Sequence, residues 1–283
     1  MVIVLCLVSI TILFIVYGYI SNFFCQVTEH DIVFHFDLGG FHGKKVVVLS
    51  DLHGNSFGKR NGKLIEKINH CHADYIFVAG DMVVKDGSGV KEGLDLMKQL
   101  SDRYPIYYAP GNHETRLEAE AEYIQKLKSM GVVYLDNEKV VLREGSDSLC
   151  LSGLNLPEEF YQKIWKQPKL ESGDIYNRIG AAETKMPQIL LAHSPDFFDT
   201  YAKWGADLVI SGHLHGGILC LPFGGALAPS LRVFPKYVRG RYQIGKSQMY
   251  VSRGLGLHHI KFRFFNLPEI AVLTLTGKQG DYR

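Results

Sequence analysis

Residues 46–54 constrain the fold more than any other stretch: Val46, Val47, Val48 and Leu49 run into Ser50, Asp51, Leu52, His53 and Gly54. Four consecutive apolar residues without polar alternation predict a strand buried on both faces, the usual state of a strand in a covered α/β sheet. Asp51 and His53 are two residues apart, so in extended backbone their side chains leave the same side and can close on one ion. Open α/β sheets place their sites at the carboxyl ends of strands. A lone Asp-x-His is weak as a signal, but this chain repeats the design.

The repeats come in order. A helical spacing (Leu64, Ile65, Ile68, Cys71) follows, then a second buried strand over 75–79 ending in Gly80 and Asp81. An amphipathic helix over 90–103 leads to a third strand over 105–109, ending in Gly111, Asn112, His113 and Glu114. Residues 115–130 are predicted as a helix stopped by Gly131. Three such units imply parallel strands with right-handed crossovers. Later, a strand over 188–192 ends in His193, and one over 206–210 ends in Gly212, His213, Leu214, His215 and Gly216. Any one Asp or His after a strand is usually a cap or turn residue. Seven of them at successive strand ends (Asp51, His53, Asp81, Asn112, His193, His213, His215) exceed the needs of one ion. They suit two divalent ions that share a carboxylate and keep open positions.

The chain of 283 residues can bury a large core, and its net charge of +2 gives no ground for broad nucleic-acid binding. Its five cysteines include no C-x-x-C pair and read as small hydrophobes. The first 24 residues carry no charged side chain. Their apolar run matches the roughly 30 Å hydrocarbon core of a bilayer, and Tyr17, Tyr19, Phe23 and Phe24 gather at its far end. A signal peptide would need a basic start and a small-residue cleavage site, and neither is present. The expectation is an uncleaved single-pass anchor over 1–24 in the cell membrane, its orientation open. A linker and edge strand over 25–40 follow, the strand over 32–38, and then one catalytic domain over 41–283. The linker would hold that domain close to the bilayer.

In the middle, short strands over 132–135, 139–143 and 149–153 read as a meander opening a second sheet, and strands over 248–252 and 269–274 close the chain. Residues 155–173 are irregular and carry Tyr161, Lys163, Trp165 and Lys166, either a surface insertion or a cap facing substrate. The loop after His215 carries Leu219, Leu221, Pro222, Phe223 and Leu227, then Arg232, Lys236, Arg239 and Arg241. It is either ordinary packing or an apolar tip with a basic rim for lipid.

Ser-Asp-Leu-His (50–53), Gly-Asp (80–81), Gly-Asn-His-Glu (111–114), His193 and Gly-His-Leu-His (212–215) together resemble the calcineurin-like metallophosphoesterase family. The resemblance runs from about residue 45 to 268. The ending Arg253-Gly-Leu-Gly and Asn266-Leu-Pro-Glu-Ile is similar to a bacterial, membrane-linked branch, some of whose members act on UDP-diacylglucosamine. It implies a four-layer α/β/β/α sandwich. It assigns Asp51, His53, Asp81 and His215 to one ion and Asp81, Asn112, His193 and His213 to the other, with His113 beside the leaving group and ligating neither. Leu214 stands where the family usually has a threonine-like residue, which removes a hydroxyl but no ligand.

A phosphodiester repels hydroxide, so the site must bring positive charge and a nucleophile together. Two divalent ions acidify a bridging water and stabilise charge on the phosphoryl oxygens. Mixed nitrogen and oxygen ligands suit Mn, Fe, Zn or Co. The leading expectation is a membrane-anchored phosphoesterase cleaving a phosphodiester or pyrophosphate bond, on a lipid-linked substrate if the branch resemblance holds. The alternatives are a nucleotide phosphodiesterase or nuclease on the same fold, and a catalytically silent metal-binding module. Composition and spacing do not fix the oligomeric state.

Overall fold

A computed structural model describes residues 1–162, 167–221, 224–227, 233–257 and 262–277. In chain order they form α1 (Val2–Ile20), β1 (Gln26–Phe34), β2 (Lys45–Leu49), α2 (Gly62–His70), β3 (Tyr75–Ala79), α3 (Val90–Ser101), β4 (Ile106–Ala109), α4 (Glu120–Ser129) and β5 (Val133–Tyr134). The second half adds β6 (Glu138–Glu144), β7 (Asp147–Leu154), α5 (Ser172–Ile179), β8 (Gln188–Ala192), α6 (Phe198–Trp204), β9 (Leu208–Ser211), β10 (Leu219–Leu221), β11 (Gly224–Leu227), β12 (Gly240–Ile244), β13 (Ser247–Val251) and β14 (Glu269–Gly277).

Among the described residues two six-stranded sheets face each other, ordered β1-β14-β2-β3-β4-β5 and β12-β13-β9-β8-β7-β6. The valine run explains the layering. Val46 and Val48 point into the core between the sheets, against Leu149, Leu151, Ile189 and Ile210. Val47 and Leu49 point the other way, to Leu64, Ile68, Leu96 and Met97 of α2 and α3. The second sheet repeats this arrangement: Leu190, Val209 and Met249 meet Ile175, Ile179, Phe198 and Tyr201 of α5 and α6. The architecture is the α/β/β/α sandwich. β2, β3, β4 and β5 run parallel, while β14 enters antiparallel beside β2.

Several expectations need correction. The expected meander is split: β5 extends the first sheet beside β4, and only the antiparallel pair β6–β7 belongs to the second. The helix expected over 115–130 is a short turn (Glu114–Arg116) and then α4, with an extended Leu117 between them. The edge strand lies earlier than 32–38; it covers Gln26–Phe34 and pairs with β14 along its whole length. That leaves little free linker, since a helical turn (Ser21–Phe23) separates α1 from Phe24 and Cys25. The irregular 155–173 stretch holds a helical turn at Glu158–Tyr161 and the start of α5, fixed by a capping box between Glu171 and Asp174.

α1 is seated on the domain near its own carboxyl end. Phe14 stacks on Phe264 with ring centres 4.2 Å apart, Tyr17 meets Phe265, and Gly18 lies under the Phe264 ring. Arg263 N donates to Gly18 O at 2.9 Å. In the loop after His215, Pro222, Phe223 and Arg232 lie outside the described residues, as do Lys163, Trp165 and Lys166. Much of the expected basic rim is engaged within the protein: Lys236 pairs with Asp199, Arg239 donates to Phe265 O and Arg241 to Asp31 O.

Candidate metal centre

The strand ends of both sheets converge. Three groups of side chains each offer ligand atoms within 4.8 Å of one another: Asp51, His53 and His215; His53, Asp81 and His113; Asp81, His193 and His213. Asn112 precedes His113, whose N–H donates to Asp81 Oδ1 at 2.8 Å, and Asn112 Oδ1 is buried with no hydrogen-bond partner among the described residues. All eight residues singled out in the sequence therefore lie in one centre or directly beside it.

Strand alternation is not what aims them. β2 stops at Leu49, and Asp51, His53, Asp81, His213 and His215 all adopt left-handed backbone, with φ of 51°, 45°, 56°, 69° and 50°. Such backbone costs a non-glycine residue about 1–3 kcal/mol and persists only where the surroundings over-determine it. The expectation that Asp51 and His53 converge because they are extended is therefore wrong; two turned residues do it. The turns interlock. Asp51 N donates to Gly80 O and His53 N to Asp81 O, while His213 N donates to both carboxylate oxygens of Asp51. Each ligand loop is thus held by a loop from another strand.

Glu114 is the organiser that sequence reasoning quoted but gave no role. Wholly buried, it accepts hydrogen bonds from the main-chain N–H groups of Asp81, Met82 and Gly111 and from the Tyr108 hydroxyl, at 2.6–2.9 Å. It ties the second and third ligand loops together. Tyr161, from the irregular stretch, brings its ring within 5.2 Å of His213 and 6.0 Å of His193. Its only signal in the sequence was membership of an aromatic-basic cluster.

Hydrogen bonds fix which nitrogen is available in three of the imidazoles, those of His193, His215 and His113. His193 Nδ1 lies 2.6 Å from Ala79 O, and His215 Nδ1 lies 2.9 Å from Gly256 O. A carbonyl only accepts, so both rings carry their proton on Nδ1 and turn the Nε2 lone pair inward. His113 is the reverse. Its Nδ1 accepts the Lys85 N–H at 3.1 Å, so the neutral ring carries its proton on Nε2, 4.0 Å from Asp81 Oδ2. Proximity alone would admit His113 as a ligand; the tautomer argues against it.

The carboxylates of the centre draw positive charge towards themselves. Burial pushes the Asp51 carboxyl up to about 7. Burial would raise Asp81 as well, but the imidazoles around it, His193 foremost, hold it well below the usual carboxylate range. His193 resists charge because it is buried, yet Asp81 and Asp51 outweigh that and raise it to about 10. His193 Nε2 and Asp81 Oδ2 lie 2.9 Å apart without the alignment of a hydrogen bond. A proton taken up there sits between Nε2 and the carboxylate, and a divalent cation replacing it would meet a neutral Nε2 lone pair and a carboxylate oxygen, with Asn112 Oδ1 a further buried, unpartnered oxygen in the loop that carries His113. The donor set suits divalent metal ions.

Glycine is required where these loops touch. A Cβ on Gly80 (φ +80°) would lie 2.5 Å from Gly111 N and 2.9 Å from His193 Nδ1. Gly80→Ala is expected to lower stability by roughly 1–3 kcal/mol from backbone strain alone and to weaken ion binding by moving His193. Thermal unfolding and metal content of the detergent-solubilised chain check this, and wild-type values for both would contradict it.

A buried Asp/His/Asn centre at the strand ends of a two-sheet sandwich defines the metallophosphoesterase class. The family model described as calcineurin-like phosphoesterase matches residues 44–217, and the chain belongs to that family. An uncharacterized metallophosphoesterase of Helicobacter pylori strain J99 is 29% identical over 238 residues, 83% of this chain and 60% of its own. The chain thus spans about 60% of the length of that relative. Phosphodiesterase YaeI of Escherichia coli K12 is 28% identical over 237 residues, 82% of each chain. Among solved structures, TT1561 of Thermus thermophilus is similar in fold, with a TM-score of 0.50 at 14% identity, covering 75% of this chain and 90% of its own.

Proposed function

We propose that this chain is a membrane-anchored phosphodiesterase that uses two divalent ions. Asp51, His53, Asp81 and His215 would hold one ion, and Asp81, Asn112, His193 and His213 the other. When bound, the ions supply positive charge against the phosphoryl oxygens and acidify the water that attacks phosphorus. The protein supplies the rest. Asp81 Oδ1 accepts the His113 N–H, which leaves Oδ2 as the oxygen free to face a cation. Ala79 O and Gly256 O keep the proton of His193 and His215 off the ligating nitrogen. Lys85 N–H keeps the His113 proton on Nε2, where it can be given to the departing oxygen. These opposite tautomers are the observation that carries the reading, because they set His193 and His215, with an inward lone pair, apart from His113, with an inward N–H. The phosphodiester class is also the one named for the relative YaeI.

The anchor and the substrate belong to the same proposal. Val2–Phe23 is long and apolar enough to cross a membrane, and most of its side chains are exposed. A helix of nineteen residues spans about 28 Å, close to a hydrocarbon core. Its seating beside the segment that carries Arg263 keeps the centre near the bilayer, which supports a lipid-linked substrate. The chain in detergent is expected to hold about two divalent ions, drawn from Mn, Fe, Zn and Co, and to hydrolyse an aryl phosphodiester. Chelation should abolish turnover and metal should restore it. In a substrate panel, lipid phosphodiesters should be preferred over nucleotides. Preference for nucleotides would replace the lipid reading, and full metal content without turnover on any ester would leave a silent binding module.

A further inference from the structure

Arg263 is wholly buried, and its guanidinium meets no carboxylate at hydrogen-bond distance among the described residues. It serves main-chain carbonyls only: Nη1 donates to His215 O (3.1 Å) and Arg253 O (2.8 Å), and Nη2 to Gly254 O (3.2 Å) and Gly256 O (2.9 Å). A buried cation that no carboxylate touches directly is costly, even with Asp51 and Glu269 acting on it at longer range, so its placement calls for a reason. Those four carbonyls lie in two loops that frame one side of the centre. Gly256 O is also the acceptor that fixes His215 Nδ1, and Gly256 N and Leu255 N donate to Asp51 O and Ser50 O. The same residue faces the anchor. Arg263 N donates to Gly18 O, and next to it the Phe264 ring covers Gly18 and stacks on Phe14.

On the two-metal reading above, we propose that Arg263 is a positioning residue that links the seating of α1 to the metal centre. With α1 seated on Phe264, Arg263 sits where its fork gathers the 253–256 turn and the His215 carbonyl, and His215 presents Nε2 to its ion. When α1 is displaced, the fork shifts, Gly256 O is no longer held, and His215 loses its orientation. The ion that His193 and His213 would hold should be spared, because the groups Arg263 donates to are the carbonyls of 215, 253, 254 and 256.

The test titrates MnCl2 and then CoCl2 into the metal-free full chain in detergent, following heat and the Co(II) absorption bands. Wild type, Arg263→Met, Arg263→Lys and Gly18→Leu are compared. Gly18→Leu lies in α1, touches no ligand, and must push Phe264 aside, so it decides the matter if Arg263→Met fails to fold. The expected result is a loss of at least tenfold in affinity for one of two ions in Gly18→Leu and Arg263→Met. The other ion should stay within twofold of wild type, and Arg263→Lys should fall between. Wild-type affinities in Gly18→Leu, or equal weakening of both ions, would overturn the link. If wild type itself bound fewer than two ions, the two-metal reading would fail first, a result separable from unchanged variants of a two-ion protein.

Discussion

Asp81→Asn is expected to reduce kcat/KM by about 10³–10⁵, the several kcal/mol that a metal pair contributes to such a reaction at 1.4 kcal/mol per factor of ten. The geometry says which atom is lost. Asp81 Oδ1 accepts the His113 N–H, so an asparagine must keep its oxygen there and turn its NH2 to the Oδ2 position. That position faces His193 Nε2 at 2.9 Å, His53 Nε2 at 3.8 Å and His113 Nε2 at 4.0 Å. An amide NH2 cannot ligate a cation. Both ions should weaken together, whereas Asp51→Asn should weaken chiefly the ion it shares with His53 and His215. Metal content and turnover measured on the same preparations check this. Two retained ions and near-normal turnover in Asp81→Asn would remove the shared-carboxylate reading.

The residues of the centre were legible because strand-end motifs survive as short strings: an apolar run, a glycine and a ligand. Their geometry was not. Nothing in Ser-Asp-Leu-His announces that Asp51 and His53 take left-handed backbone, since that depends on hydrogen bonds to Gly80 and Asp81 from another strand. Arg263 was invisible for a similar reason; its role lies in carbonyls of residues 215 and 253–256, and carbonyls leave no mark on a sequence. Among the elements, α5 was lost because its start falls in the irregular 155–173 stretch and eight residues give Ile175 and Ile179 too little periodicity. β12 was lost between the loop after His215 and the strand expected over 248–252, because only its pairing with β13 makes Gly240–Ile244 a strand. β5 was assigned to the wrong sheet because two residues cannot say which edge they will join.

His113→Ala tests the division of the histidines. It is expected to leave about two ions in place and to lower kcat by roughly 10²–10⁴, the range for loss of a general acid–base group. Metal should be retained because the ring is buried beside the ions without offering them a lone pair: Nδ1 is occupied by Lys85 N–H, and Nε2 bears the proton. Burial also lowers the His113 pKa below its usual value, against the pull of Asp81 towards charge. The shift favours the neutral ring, which donates a hydrogen bond from Nε2 to the departing oxygen; a proton passed on from Nε2 is restored by solvent water, so that no imidazolate remains. Such a donor matters in proportion to the charge that collects on the departing oxygen. An alkyl leaving group, strongly basic once expelled, needs the proton; a nitrophenolate hardly does. The loss in His113→Ala should accordingly be large for an alkyl phosphodiester and several-fold smaller for a nitrophenyl one. Equal losses on both would mean that His113 binds the phosphoryl group and leaves protonation to water. Loss of an ion in the variant would make His113 a ligand after all and would overturn the tautomer assignment.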